Sequence, residues 1–153
     1  MKNDPGRKLM KYLITLAMSI ILSNKIALAE DIVKPAEMSK SDIAGGMYLR
    51  SDMTRVTHPD GSNALDVTNF TSSDGKYETG MYASAASNIE INQPWGVDEF
   101  FYVVSGSIKL TSDDGSVMVI EAGETATIPK EWTGKWDTEG YSKIFVIYNS
   151  DNE

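Results

Sequence analysis

Glycine-closed turn signals recur along this chain, and they constrain its fold more than any other feature. They read Pro59-Asp60-Gly61, Ser73-Asp74-Gly75, Asp113-Asp114-Gly115, Glu121-Ala122-Gly123 and Glu139-Gly140. Asp-Gly supplies the positive φ angles that tight hairpins need. Between these signals lie short runs of alternating or branched residues. They predict strands at Met47–Arg50, Ala64–Asn69, Tyr77–Ala83, Asn88–Asn92, Glu99–Ser105, Ser107–Thr111, Ser116–Ile120, Thr125–Ile128, Gly134–Asp137 and Ile144–Tyr148. No segment sustains a 3.6-residue apolar period. Many short strands with turns between them specify an all-β sandwich or barrel.

The first 29 residues read differently. Lys2, Arg7, Lys8 and Lys11 form a basic start, Tyr12–Leu22 is an apolar run of 11 residues, and the segment ends in Ala27-Leu28-Ala29. That order is the pattern of a secretory signal peptide. The run is too short for a bilayer core that needs about 20 residues. Residues 1–29 are therefore expected to be a signal peptide cleaved after Ala29, residues 30–44 a flexible lead-in, and residues 45–150 one domain of an exported, periplasmic or secreted protein. Cleavage would remove five basic groups and one acid, leaving 9 Lys+Arg against 21 Asp+Glu, a formal charge of −12 over 124 residues. Such a surface repels phosphate backbones and anionic lipid, so neither nucleic acid nor a membrane surface is an expected partner. The chain has no Cys, hence neither a disulfide nor a thiol nucleophile.

Two motifs lie in the second half. The first is Gly96-Val97-Asp98-Glu99-Phe100-Phe101-Tyr102-Val103-Val104-Ser105-Gly106, which holds Glu, six residues, Gly. The second is Gly123-Glu124-Thr125-Ala126-Thr127-Ile128-Pro129-Lys130-Glu131-Trp132-Thr133-Gly134-Lys135-Trp136, which holds Gly, five residues, Pro and ends in Gly-x-Trp. With Tyr77–Met81 before them, they resemble the cupin superfamily, and most closely the branch named after the cupin domain of ureidoglycine aminohydrolase. The resemblance implies a single jelly-roll barrel and suggests pairing into homodimers. Gly106 is expected to permit a tight turn into the next strand.

The same resemblance shows what is missing. Metal-binding cupins place two His before the motif-one Glu and one in motif two. Counting back from Glu99, those positions hold Gln93 and Trp95, or Asn92 and Pro94; counting on from Pro129, the third holds Gly134. Glu99 alone is kept, and one carboxylate does not make a divalent site. No metal and no other cofactor is expected. His58, the chain's single histidine, lies in a turn and reads as a solvated loop residue.

Glu99 is the candidate for chemistry, because a carboxylate facing an apolar barrel has its charged form disfavoured and can serve as an acid or base. Asp98, next to it on the strand, should face the other way. Gln93, Trp95, Glu99, Tyr102 and Trp132 are the candidate ligand-binding residues, with Trp136 expected to fill the core. Three functions stay open: a metal-free cupin that binds a small polar molecule, a metal-independent isomerase or lyase acting on a sugar- or ureide-like substrate through Glu99 and Tyr102, and a packed structural barrel. Fold alone does not choose among them.

Overall fold

The computed structural model describes residues 33–150; the expected signal peptide lies outside them. A capped helical turn comes first, α1 (Lys40–Ile43). Ser39 Oγ accepts from the Asp42 amide at 3.2 Å while the Ser39 amide donates to Asp42 Oδ2 at 2.9 Å, a reciprocal capping box. A 3₁₀ turn at Gly46–Leu49 follows. The expected strand at Met47–Arg50 is therefore not a strand. Seven strands follow: β1 (Thr54–Thr57), β2 (Asn63–Thr71), β3 (Tyr77–Ile91), β4 (Asp98–Ser112), β5 (Val117–Glu121), β6 (Thr125–Ile128) and β7 (Gly134–Tyr148). All pairings are antiparallel, in the order β1-β2-β3-β7-β4-β5, with β6 on the first half of β4. The fold is the all-β, cupin-type jelly roll that the turn pattern and motifs predict.

Three long strands replace six expected short ones. Tyr77–Ala83 and all but the last residue of Asn88–Asn92 fall within β3, Glu99–Ser105 and Ser107–Thr111 within β4, and Gly134–Asp137 and Ile144–Tyr148 within β7. Neither Gly106 nor Glu139-Gly140 makes a turn. Gly106 sits at φ 74° inside β4, and a Cβ there would lie 2.0 Å from the carbonyl oxygen of Gly140. Only glycine permits that approach of β4 to β7. The β4–β7 register shifts between Val103 and Ser105 and again between Gly106 and Lys109. Such irregularities bend a strand without ending it, so one strand serves both halves of the barrel.

Both faces of the sheet are buried in part. Inside, Phe101, Val103, Ile108, Leu110, Ile120, Ile128, Trp136, Tyr141 and Phe145 form one core cluster. Outside, Met47, Val67 and Met81 form a second, with Met38, Ile43, Tyr48, Met53, Val104 and Ile144 packed on it. The segment from Met38 to Met53 thus covers the outer face, and Tyr48 OH bonds Ser142 Oγ at 2.7 Å. Met38 and Ile43 join this packing although they precede the expected domain start at residue 45.

Candidate functional site

The alternation along β4 decides which residues face the interior. Glu99, Phe101 and Val103 are buried, whereas Phe100 and Tyr102 are exposed, Tyr102 by 40%. The antiparallel register carries this face across the sheet. Asp66 on β2, Tyr82 on β3, Lys143 on β7 and Val103 on β4 lie in one row, with Glu78, Ile147 and Glu99 in a parallel row. All of these but Val103 line a cavity of about 270 Å³, with Trp95, Trp136, Tyr141 and Phe145 as aromatic walls and His58 also on its lining.

At the base of this site is a buried ion pair. Lys143 Nζ donates to Glu99 Oε1 at 2.5 Å, with side-chain exposures of 5% and 3%. The second Glu99 oxygen accepts from Trp95 Nε1 at 3.1 Å. Loop-to-loop hydrogen bonds hold Trp95 in place: its amide donates to the Trp132 carbonyl at 3.0 Å, and the Gly96 amide to that of Lys130 at 2.8 Å. Trp95 then stacks on Trp136, ring centres 5.4 Å apart and 12° from parallel. The Lys143 ammonium lies 4.8 Å from the Phe101 ring centre, 4.9 Å from Trp136, 5.6 Å from Tyr82 and 5.9 Å from Tyr141. A buried charge needs a partner and satisfied hydrogen bonds. Here each ion has the other as its partner, Glu99 has both oxygens engaged, and the rings add cation–π attraction to Lys143.

A second polar group lies on the β2–β3 side. Tyr82 OH and His58 Nε2 are 2.9 Å apart. Burial pushes the Tyr82 phenol up to about 12, so it stays protonated at neutral pH. Burial likewise raises Tyr141 far above the usual phenol range. Asp66 is pushed up by burial first and by the charge of Glu78 second. Its Oδ1 is buried without a hydrogen-bond partner. Glu78 Oε1 accepts from Thr68 Oγ1 at 3.0 Å.

Of the residues picked from sequence, Trp95 and Glu99 meet in the cavity. Tyr102 does not, because it shares the outer face of β4 with Phe100. Gln93 is exposed and does not line the cavity. Trp132 stands behind Trp95, edge-on at 6.4 Å, with its Nε1 donating to Ser112 Oγ at 3.1 Å. Asp98 turns outward, and its carboxylate accepts from the Lys130 amide at 3.1 Å. His58 is half-buried and bonded, not a solvated loop residue. Lys143, Asp66 and Glu78 had no place in the expected site. The signal for Lys143 was its spacing, in phase with Tyr141, Phe145 and Ile147 in an apolar strand.

The donor set does not fit a metal. Among the described residues, no three His, Asp or Glu side chains gather to hold one. Glu99 has both oxygens engaged, one by an ammonium. Gly134, at the motif-two ligand position, has φ 151°, and a Cβ there would lie 2.3 Å from the Thr111 carbonyl oxygen. No ligating side chain can be built at that point.

Comparison with solved structures places the fold. The EutQ protein of Clostridium difficile is similar at 22% identity, covering 66% of this chain and 79% of that one, with a TM-score of 0.54. A putative ethanolamine utilization protein Q from Salmonella typhimurium LT2 is similar at 17% identity, covering 65% and 96%, with a TM-score of 0.50. A protein of unknown function from Rhizobium leguminosarum shares 17% identity over 76% of this chain and 99% of its own, TM-score 0.54. No curated protein matches the sequence. The family model for the EutQ-like cupin domain matches residues 71–144, the stretch that contributes β3, β4 and most of β7 to the cavity, and over that stretch the chain is a cupin domain similar to the EutQ-like type.

Proposed function

We propose that the protein binds a small polar molecule in its barrel without a metal, with the ligand held above the Glu99–Lys143 pair. The observation that carries this reading is the cavity of about 270 Å³, lined by aromatic rings and a few convergent polar groups, the usual makeup of a small-molecule site. A barrel serving only as packed structure has no use for such a space. At the identities found, the solved relatives share the fold alone and lend no substrate. The finer resemblance to ureidoglycine aminohydrolase cupins, carried by Gly134-x-Trp136, puts ureides among the ligands to try. A thermal-shift screen of the protein against metals, sugars, ureides, amines and organic acids tests the reading, since a ligand of the folded state raises the melting temperature. An upward shift from a polar organic molecule supports it. One equivalent of Mn, Fe, Ni or Zn in the purified protein, lost on Glu99→Ala, would overturn the metal-free part.

One observation favours a second reading, a metal-independent isomerase or lyase. His58 and Tyr82 are hydrogen-bonded and face the same cavity as Asp66, so a proton donor and acceptor converge on one space. Glu99 is held by Lys143 and Trp95, and the acid–base role in that case moves to His58 and Tyr82. Turnover of any bound molecule that is lost on His58→Gln, with binding kept, would select this reading. Two further parts of the proposal rest on sequence and edges. Export with cleavage after Ala29 is tested by N-terminal sequencing of material collected outside the cytoplasm. Self-association is proposed from edge strand β5, whose Val117, Met118 and Val119 are exposed, because uncovered edges pair readily; sedimentation showing only monomer at micromolar concentration would refute it.

A further inference from the structure

Resting on the binding reading above, we propose that the ligand carries a cationic amine, seated on the β2–β3 side of the cavity against Asp66 and Glu78 and beside the Tyr82 ring. Charge balance supports this first. Three carboxylates line the cavity, Asp66, Glu78 and Glu99, against one ammonium, Lys143. Lys143 and Glu99 cancel at 2.5 Å and are almost wholly shielded from solvent. That leaves two acids facing the space without an ion-pair partner of their own among the described residues, although the Lys143 charge is felt at Asp66. An anionic ligand would stand among like charges, with the one ammonium already closed off. A cationic ligand would meet two unneutralised carboxylates.

The state of Asp66 supports it next. Its Oδ1 is buried without a hydrogen-bond partner, an unfavourable condition for an acceptor. An ammonium has three N–H donors and no acceptor, so it supplies what this group lacks. Tyr82 is adjacent to Asp66 in the strand register, and as a neutral phenol it offers a ring face to a cation. The neighbouring rings already hold one ammonium, that of Lys143, at 4.8 to 5.9 Å. The formal charge of the whole chain, −8, draws cations from a distance. The cavity volume limits the amine to a small molecule.

Three probes of one shape and different charge test the assignment: benzylammonium, benzyl alcohol and benzoate, titrated calorimetrically into the protein. Benzylammonium is expected to bind roughly tenfold tighter than benzyl alcohol, the yield of one cation–π contact and one partly solvated ion pair. Benzoate should be the weakest. In Asp66→Asn the preference of the amine over the alcohol should collapse toward unity while the alcohol's affinity is kept; Glu78→Gln should reduce it in the same direction and serves if the first variant folds poorly. Equal or tighter binding of benzoate overturns the proposal, as does a preference that survives both substitutions. Failure of all three probes to bind also overturns it, whereas neutral or acidic hits in the wider ligand screen would leave the pocket reading standing.

Discussion

The two ends of the cavity hold carboxylates of the same kind in opposite conditions. Glu99 is 3% exposed, yet an ammonium and an indole N–H occupy its two oxygens. Asp66 is only half-buried, yet one of its oxygens has no donor and its carboxyl is held above the usual range by burial and by Glu78. Depth of burial therefore does not identify the group with binding capacity left over; the state of its hydrogen bonds does. The Glu99 end is closed on itself and supports the barrel. The Asp66 end faces the cavity incomplete.

If that contrast holds, breaking the Glu99 end should damage the fold most. Lys143→Met leaves a carboxylate buried beside Phe101 and Trp136 without its cation, which should cost about 3–5 kcal/mol. Adding Glu99→Leu removes both charges together and should restore most of the loss, because apolar replacement of a whole buried pair is often neutral. Denaturant melts of the single and double variants measure this. A double variant as unstable as the single one would mean that Lys143 acts mainly through its packing against the four rings. Trp95→Phe is a smaller break of the same end. It keeps a ring on Trp136 and deletes the N–H donated to Glu99 Oε2, a bond to a charged group worth about 1.5–3 kcal/mol. Loss of less than about 0.5 kcal/mol would show that water replaces the indole there.

How far this contrast was readable from sequence depends on which residues had only one plausible face. Glu99 and Trp95 could be chosen because the motif spacing marks the start of β4 and the loop before it. Lys143 was out of reach because Glu139-Gly140 looked like a hairpin turn and cut β7 at Ile144. Gly140 instead lies inside a bent strand at φ 128°, opposite Ala85 of β3, and it is Gly106 that admits the close approach of β4 to it. Asp66 was hidden for another reason. Period-two reading assumes one buried face, and Asp66 alternates with the apolar Leu65 and Val67. Val67 is indeed buried, but outside the barrel, under Met47. His58 was misjudged because its hydrogen-bond partner, Tyr82, is far away in sequence. The fold was legible because turn residues and strand runs are local; the site was legible only in part because it is assembled across β2, β3, β4 and β7.

Opening the Asp66 end should have the reverse sign and a smaller size. A carboxyl whose value is raised on folding binds its proton more tightly in the native state. Stability from that proton is present below the ordinary Asp value of about 3.9 and is lost as pH rises through the raised native value. At neutral pH the charge opposes the fold. Asp66→Asn should therefore be slightly more stable than the parent at pH 7, with the difference shrinking to nothing below the ordinary Asp value. Paired thermal melts across that range compare the two proteins, so that other titrating groups cancel. A variant less stable than the parent at pH 7 would mean that Asp66 finds a donor in solution and that the two ends are alike.

The smallest effect is expected on the other side of β4, and it tests the register on which the comparison rests. Tyr102 pairs with Thr125 and Ile144 across the sheet, but it projects from the outer face and is 40% exposed. Tyr102→Ser should change stability by no more than about 0.5 kcal/mol, as for an ordinary surface position. It should leave the affinity of any cavity ligand unchanged. A slip of one residue in β4 would exchange every side chain between faces, placing Tyr102 in the cavity and Glu99 in solvent. Weakened ligand binding in Tyr102→Ser, together with an indifferent Lys143→Met, is the signature of that slip. The paired substitutions thus separate a wrong register from a wrong assignment of the two ends: the first reverses the effects of Tyr102 and Lys143, while the second leaves Tyr102 silent and changes only the sign at Asp66.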